Sequence, residues 1–431
     1  MFNKGNILKD INGKQITIVE HLGGGGQGDV YKVKYGEEHK AFKWIKNAGK
    51  KPLDFYENIK INIEKGSPSS CFLWPEAITV LTKNNQFGYI MPLRPAGYYD
   101  VSEFLLARQR FPSFKACVKA CINIINSFRS LHKKGFSYQD INDGNFFINP
   151  QTADVLIVDT DNVAPYGKNL GVIGKPRYMA PEIVLNKSKP NVQSDKFSLS
   201  VIMFMLLVNA HPLEGKQFFN IPCLTNEDAK KIYGSHATFI FDDVDQSNCA
   251  ISLLHKTAIS RWKYLPNYIK QTFSKAFSKD VLNDENKRIN ELEWLKVLTR
   301  FEGDIIKCQC DNEIFIDTQK DINICDGCNK SVKGLNKFKL PNYCLAIEKG
   351  LKLYRCQIEL CDIEKALDVI VSVGEQKNIK GENILAFRNM TSKPLDCITS
   401  TGMKKQLKPL EFAPIKKGIR IVLNKNEIEI I

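Results

Sequence analysis

Four groups of residues in this chain carry the chemistry of a bound polyphosphate. They are a glycine loop, Leu22-Gly-Gly-Gly-Gly-Gln-Gly-Asp-Val30; a lysine in an apolar run, Ala41-Phe-Lys43; the pair Asp140 and Asn145; and Asp159, which closes the run Val155-Leu-Ile-Val. Gly23, Gly25 and Gly28 let the backbone curl over phosphates and present N–H donors with no Cβ in the way. Lys43 can contact the α- and β-phosphates. Asp140 can accept or orient an incoming hydroxyl, Asn145 offers a neutral oxygen to Mg²⁺, and Asp159 offers the main metal carboxylate. The chemistry would be transfer of a phosphoryl group from ATP.

These groups need elements to position them. Gln15 to Val19, Val30 to Tyr35 and Lys40 to Trp44 read as strands separated by glycine or charged turns. The glycine loop therefore runs on into a strand, whereas a dinucleotide-binding loop would run into a helix. A helix is expected over roughly Asp54 to Glu64, ending at Gly66-Ser-Pro68. Lys43 needs a carboxylate to hold it. Glu57 on that helix is the expected partner, with Glu64 as its rival. Strand-like runs at Ala77 to Leu81 and Gly88 to Met91 follow, and from Val101 to about Glu302 the pattern is mostly helical.

The order of these motifs, with Ala180-Pro-Glu182 after them, resembles that of eukaryotic-like Ser/Thr protein kinases over about residues 15–300. The resemblance implies an α+β, bilobal protein kinase-like fold over 1–302, with an N-lobe to about 93 and a C-lobe over 94–302. It implies Met91 as gatekeeper, Pro92-Leu93-Arg94 as the adenine-binding hinge, and Leu22, Val30, Ala41 and Phe147 around the adenine. It also implies that Asp195 braces the catalytic loop and that Arg288 pairs with Glu182. Phe72-Leu-Trp-Pro75, Phe239-Ile-Phe-Asp242, Trp262-x-x-Leu-Pro266 and Phe273-x-x-Ala-Phe277 are similar to a bacterial branch of the family. That branch is linked with phosphatases and von Willebrand A-type proteins, including tellurite-resistance-type systems. A cognate phosphatase and such a protein are thus expected partners, besides a protein substrate.

The chain departs from the family pattern in three places. Tyr138-Gln139-Asp140 stands where His-Arg-Asp is usual, and between Asp161 and Glu182 there is no Ser or Thr. With no arginine to neutralise, activity is expected not to need activation-segment phosphorylation. Asp159-Thr160-Asp161 replaces Asp-Phe-Gly, which thins the plug between the lobes and adds a carboxylate near the metal site. Asn142 stands where a lysine is usual, and Lys175 where a threonine is usual. In the kinase fold those two positions face each other, so Lys175 is expected to supply the missing ammonium beside the γ-phosphate.

Cys308-x-Cys310 and Cys325-x-x-Cys328 resemble a zinc ribbon over 303–337, with four thiolates for a structural tetrahedral Zn²⁺. Residues 338–431 alternate β-rich runs with turns and are expected to form a small all-β domain, a sandwich or barrel. The net charge is +14, yet no Arg-rich stripe marks a nucleic-acid surface, and solvated lysine faces account for it. Thirteen cysteines, scattered apart from the one cluster, fit a reducing compartment. The opening residues carry no apolar core, and the longest apolar stretch, Val201 to Val208, is too short to span a bilayer. A cytoplasmic location is expected. Two other readings share these residues: a nucleotide-binding pseudokinase scaffold, and a small-molecule phosphotransferase of kinase-like fold.

Overall fold

A computed structural model of the chain describes residues 2–49, 51–171, 174–318, 320, 322–378 and 380–431. It opens with a six-stranded antiparallel sheet. The strands are β1 (Ile7–Lys9), β2 (Gln15–Gly24), β3 (Gly28–Tyr35), β4 (Glu38–Ile45), β5 (Ala77–Ile78) and β6 (Phe87–Met91), in the order β1-β2-β3-β4-β6-β5. Alternation explains the strands: Ile16 and Ile18 on β2 and Tyr31 and Val33 on β3 turn inward, where they pack with Phe42 and Ile90.

Helix α1 (Pro52–Lys65) follows β4. Proline in its first turn and Gly66, at φ 70°, after its last residue mark its ends. Its buried residues are Phe55, Asn58, Ile59 and Asn62, one face at helical spacing.

A short strand β7 (Tyr99–Asp100) and helix α2 (Val101–Leu105) lead to helix α3 (Phe114–Lys133). Next come β8 (Phe136–Ser137), β9 (Phe146–Ile148), β10 (Val155–Ile157) and β11 (Ala164–Pro165). β9 and β10 form a hairpin, and β8 pairs with β11. Helix α4 (Pro181–Val184) precedes α5 (Val192–Val208), a nearly wholly buried helix with a capping box between Asn191 and Ser194. Among the described residues no helix is long and apolar enough to cross a membrane.

The chain divides into two compact units. One holds residues 1–112, 123–259 and 273–289; the other holds 113–122, 260–272 and 290–431. The second unit thus takes in the helix Glu291–Asp304, which the sequence reading placed before a boundary at 302. Within that unit Phe301 packs on Phe114 and Phe315, and Gly303 leaves room for Leu345.

The rest of the second unit is β-rich. Two small hairpins pair Ile305–Lys307 with Glu313–Phe315 and Ile322–Ile324 with Ser331–Lys333. Beyond them, a six-stranded and a four-stranded antiparallel sheet share one apolar core. Phe338, Leu345, Leu353, Val371, Phe387, Ile421 and Ile428 lie in it. This is the β-rich C-terminal region the sequence pattern implies.

Candidate active site

The glycine loop is the tip of the β2–β3 hairpin, with Gly23 opposite Val30 and Gly24 opposite Asp29. Gly28 has a steric reason to be glycine: a Cβ there would lie 2.0 Å from the Trp44 carbonyl oxygen. Gly24 has one too, since a Cβ there would strike the Asp29 carboxylate. Leu22 is 48% exposed at the mouth of this hairpin.

Sheet register then sets the apolar side of the cleft. Val30 lies opposite Lys43, Lys43 opposite Tyr89, and Ala41 opposite Met91. Ala41 and Met91 belong to one buried cluster, against which Val30, Leu93, Leu156 and Val158 pack. Phe147 lies outside that cluster and carries the Arg94 guanidinium 3.9 Å above its ring.

The loop that carries Asp140 and Asn145 follows β8. Asp195 of α5 accepts from the backbone N–H of Tyr138 at 2.7 Å and of Gln139 at 3.1 Å, so the expected brace is present. Gln139 sits in the left-handed region at φ 71°, which the two bonds to Asp195 help to hold. Its side-chain amide donates to the Lys168 carbonyl at 2.7 Å and accepts from Asn169 at 3.2 Å. The Asn145 amide nitrogen donates to the Asp140 carbonyl at 2.9 Å, which leaves the amide oxygen for a cation. Asn145 also accepts the Val158 N–H through its own carbonyl, tying it to the strand that delivers Asp159.

Asp140 is mostly buried. Burial pushes its carboxyl up to about 6; the Asn142 side chain opposes this, Asp159 adds to it, and Lys175 opposes it. Lys175 Nζ donates to Asn142 Oδ1 at 3.1 Å, so the expected meeting of positions 142 and 175 occurs. Gly174 passes so close to Asp140 that a Cβ would lie 3.2 Å from its Oδ1.

Lys43 corrects one expectation. Its ammonium lies 3.2 Å from Asp159 Oδ1 and 2.8 Å from Asp161 Oδ2. Glu57 is not brought to it: that carboxylate faces solvent and pairs with Lys60 at 3.2 Å, and Glu64 is exposed as well. Helical phase is the reason. The inward face of α1 is set by Phe55 and Ile59, and it presents Asn58 and Asn62, not the glutamates. Both asparagine amides donate to the Val163 carbonyl, at 2.7 and 2.9 Å. Burial alone would lower the Lys43 pKa, but the charges of Asp161 and Asp159 outweigh it and the ammonium is held well above its ordinary value.

Asp159 adopts the left-handed conformation, φ 50° and ψ 42°, uncommon for a residue with a side chain. Its side chain stays half exposed while Asp161, two residues on, is wholly buried. Thr160 is buried between them, its hydroxyl donating to the Leu73 carbonyl at 2.8 Å. Further out, Arg288 grips Glu182 with two bonds of 2.9 and 2.6 Å, as expected.

In the second unit, Cys308, Cys310, Cys325 and Cys328 converge, with all four sulfurs within 4.8 Å of one another. Cys308 and Cys328 sulfurs are 3.7 Å apart, and those of Cys310 and Cys325 3.6 Å. A disulfide would need ~2.0 Å. A tetrahedron with Zn–S bonds of ~2.3 Å has edges of ~3.8 Å, so the donor set fits Zn²⁺. Cys308 and Cys310 sit in one hairpin turn and Cys325 and Cys328 in another, and in each an N–H bonds back to the first cysteine's carbonyl: Asp311 to Cys308 and Asn329 to Cys325.

The family model described as "Protein kinase domain" matches residues 16–293. The chain is also similar to cGMP-dependent protein kinase 2 of Homo sapiens, 27% identical over 208 residues, covering 47% of this chain and 26% of that protein. It is similar to Serine/threonine-protein kinase STY46 of Arabidopsis thaliana, 23% identical over 224 residues, covering 49% of this chain and 36% of that protein. A third similarity is to Serine/threonine-protein kinase pakE of Dictyostelium discoideum, 29% identical over 171 residues, covering 36% of this chain and 18% of that protein. The chain thus spans between 18% and 36% of the length of these relatives.

Proposed function

Because this chain belongs to the protein kinase family, we propose that it is an active kinase that transfers the γ-phosphate of ATP to Ser or Thr hydroxyls of a protein substrate. The observation that carries this reading is the convergence of Lys43, Asp140, Asn145 and Asp159: Lys43 lies on Asp159, Asn145 bonds to the Asp140 backbone, and the Asp159 charge acts on Asp140. The names of two relatives, which are serine/threonine-protein kinases, support the acceptor class.

In this reading the glycine hairpin covers the triphosphate and Lys43 meets the α- and β-phosphates. Val30, Ala41, Met91 and Leu93 enclose the adenine, with the backbone of 92–94 beside its polar edge and Leu22 and Phe147 at its rim. Asn145 and Asp159 would hold Mg²⁺, which would neutralise charge on the phosphates. Asp140 accepts the proton of the incoming hydroxyl. Lys175, anchored on Asn142, places its ammonium beside the transferring phosphoryl group.

Gln139 supports activity without a phosphate on the activation segment. An arginine there would need an anion to order the segment. Gln139 bonds directly to the Lys168 carbonyl and to Asn169, which does the same work without charge. The four cysteines are proposed to hold a structural zinc in a ribbon-like module. The location is proposed to be cytoplasmic, and a phosphatase and a von Willebrand A-type protein are proposed partners.

Two tests follow. Acid-stable phosphoserine or phosphothreonine in an acceptor protein supports the acceptor class, whereas phosphotyrosine alone overturns it. The Lys175→Ala substitution is expected to lower kcat by about 10- to 100-fold, on the scale of other lost transition-state charge partners. It should also move the acid limb of the pH–rate profile upward, because Lys175 lowers the Asp140 pKa. Unchanged kcat and an unmoved limb would remove Lys175 from the mechanism.

A further inference from the structure

The geometry points to Asp161 as the positioning residue for Lys43, in place of a carboxylate from helix α1. This inference rests on the kinase reading of the cleft and goes beyond it by assigning the lysine anchor to the segment that also carries the metal carboxylate.

Three observations lead there. First, Asp161 is wholly buried and lies 2.8 Å from the Lys43 ammonium, so it cannot share its carboxylate with solvent. Asp159, the other acid at Lys43, is half exposed, so its carboxylate is accessible to a cation. The buried acid can serve only the lysine, whereas the exposed one can also reach a metal ion, so their different burial fits two separate roles. Second, the inward face of α1 offers no acid. Asn58 and Asn62 occupy it, and both amide nitrogens donate to the Val163 carbonyl. Third, the left-handed turn at Asp159 and the buried bond from Thr160 to the Leu73 carbonyl fix the three-residue segment that delivers Asp161.

The consequence concerns regulation. Where a helix carboxylate holds the lysine, moving the helix outward disarms the site. Here the anchor lies two residues from the metal ligand, and α1 is itself tied to Val163 in the same segment. The lysine, the metal carboxylate and the helix therefore depend on the single stretch Asp159 to Val163. A signal that disarms this site must reorder that stretch.

The test compares the full-length wild-type chain with Asp161→Asn, Lys43→Met, the double variant and Glu57→Gln. MgATP affinity and, with an acceptor protein, kcat are measured for each. Asp161→Asn is expected to lower kcat at least about 10-fold and to weaken MgATP binding. In the Lys43→Met background the same change should cost less than about twofold, because the residue it positions is gone. Glu57→Gln should stay within about twofold of wild type. Equal losses from Asp161→Asn in both backgrounds, or a loss from Glu57→Gln as large as that from Asp161→Asn, would overturn the assignment.

Urea unfolding of the same proteins keeps the inference separate from the kinase reading. Non-additive destabilisation by Asp161→Asn and Lys43→Met supports the pair even in a protein that transfers no phosphate. Additive destabilisation would overturn it. A wild-type chain that binds no MgATP, with the non-additivity intact, would count against the kinase reading alone.

Discussion

The Asp140→Asn substitution will lower kcat by about 10²- to 10⁴-fold, the range expected for loss of a general base, while the KM for ATP changes by less than about threefold. Asparagine keeps the size and one acceptor oxygen of the carboxylate, so the Asn142 amide retains a partner near 3.4 Å. What it loses is the ability to take a proton. The wild-type pH profile should carry the same signature. Burial raises the Asp140 pKa to about 6, and a general base there would work only when ionised. The rate should therefore be on its plateau above about pH 7 and fall as the pH drops through about 6. A rate that is flat from pH 5 to 8, or an Asp140→Asn enzyme with wild-type kcat, would contradict the role.

The second large effect is on folding of the cysteine module. Its strands are three residues long, and its buried cluster comprises little more than Ile306, Ile314, Ile316 and two of the cysteines themselves. Such a core cannot offset the entropy of ordering two hairpins. Structural zinc contributes about 10–16 kcal/mol of binding free energy in small modules. We expect about one zinc per chain as purified. Cys325→Ser, or chelation, should raise hydrogen exchange across residues 305–333 by orders of magnitude. Protein that carries no metal, with exchange in 305–333 unchanged by Cys325→Ser, would contradict a structural zinc.

Much of the cleft was legible because its chemistry restricts residue type. A lysine in a strand, an acid and amide five apart and an acid at a strand end each have few substitutes, and their order carried the rest. Asp195, Arg288 and the meeting of Asn142 with Lys175 were reachable once that order was recognised. Glu57 does not reach Lys43 because helix phase, and not the presence of a carboxylate, decides which residues of α1 face inward. Phe55 and Ile59 already define the inward face, and it contains Asn58 and Asn62. Those two asparagines carry no chemical signature in a sequence; only their shared bond to Val163 reveals them. The role of Asp161 was hidden for a different reason. A one-residue left-handed turn at Asp159 decides which of two nearby acids is buried, and side-chain identity does not encode that choice. The four cysteines were legible from spacing alone. The assignment of the helix Glu291–Asp304 to the second unit was not, because its partners lie far along the chain, at Phe114 and Leu345 among others.

The most direct measurement is transfer of label from γ-labelled ATP by purified, phosphatase-treated protein with Mg²⁺ and a generic acceptor, beside Asp159→Ala. The account predicts labelled protein with the wild type, none with Asp159→Ala, and no need for a prior phosphate on the activation segment. Wild-type protein that binds MgATP yet labels no protein, whether with or without phosphatase treatment, would contradict it and leave a nucleotide-binding scaffold, or, if a metabolite is labelled instead, a small-molecule phosphotransferase.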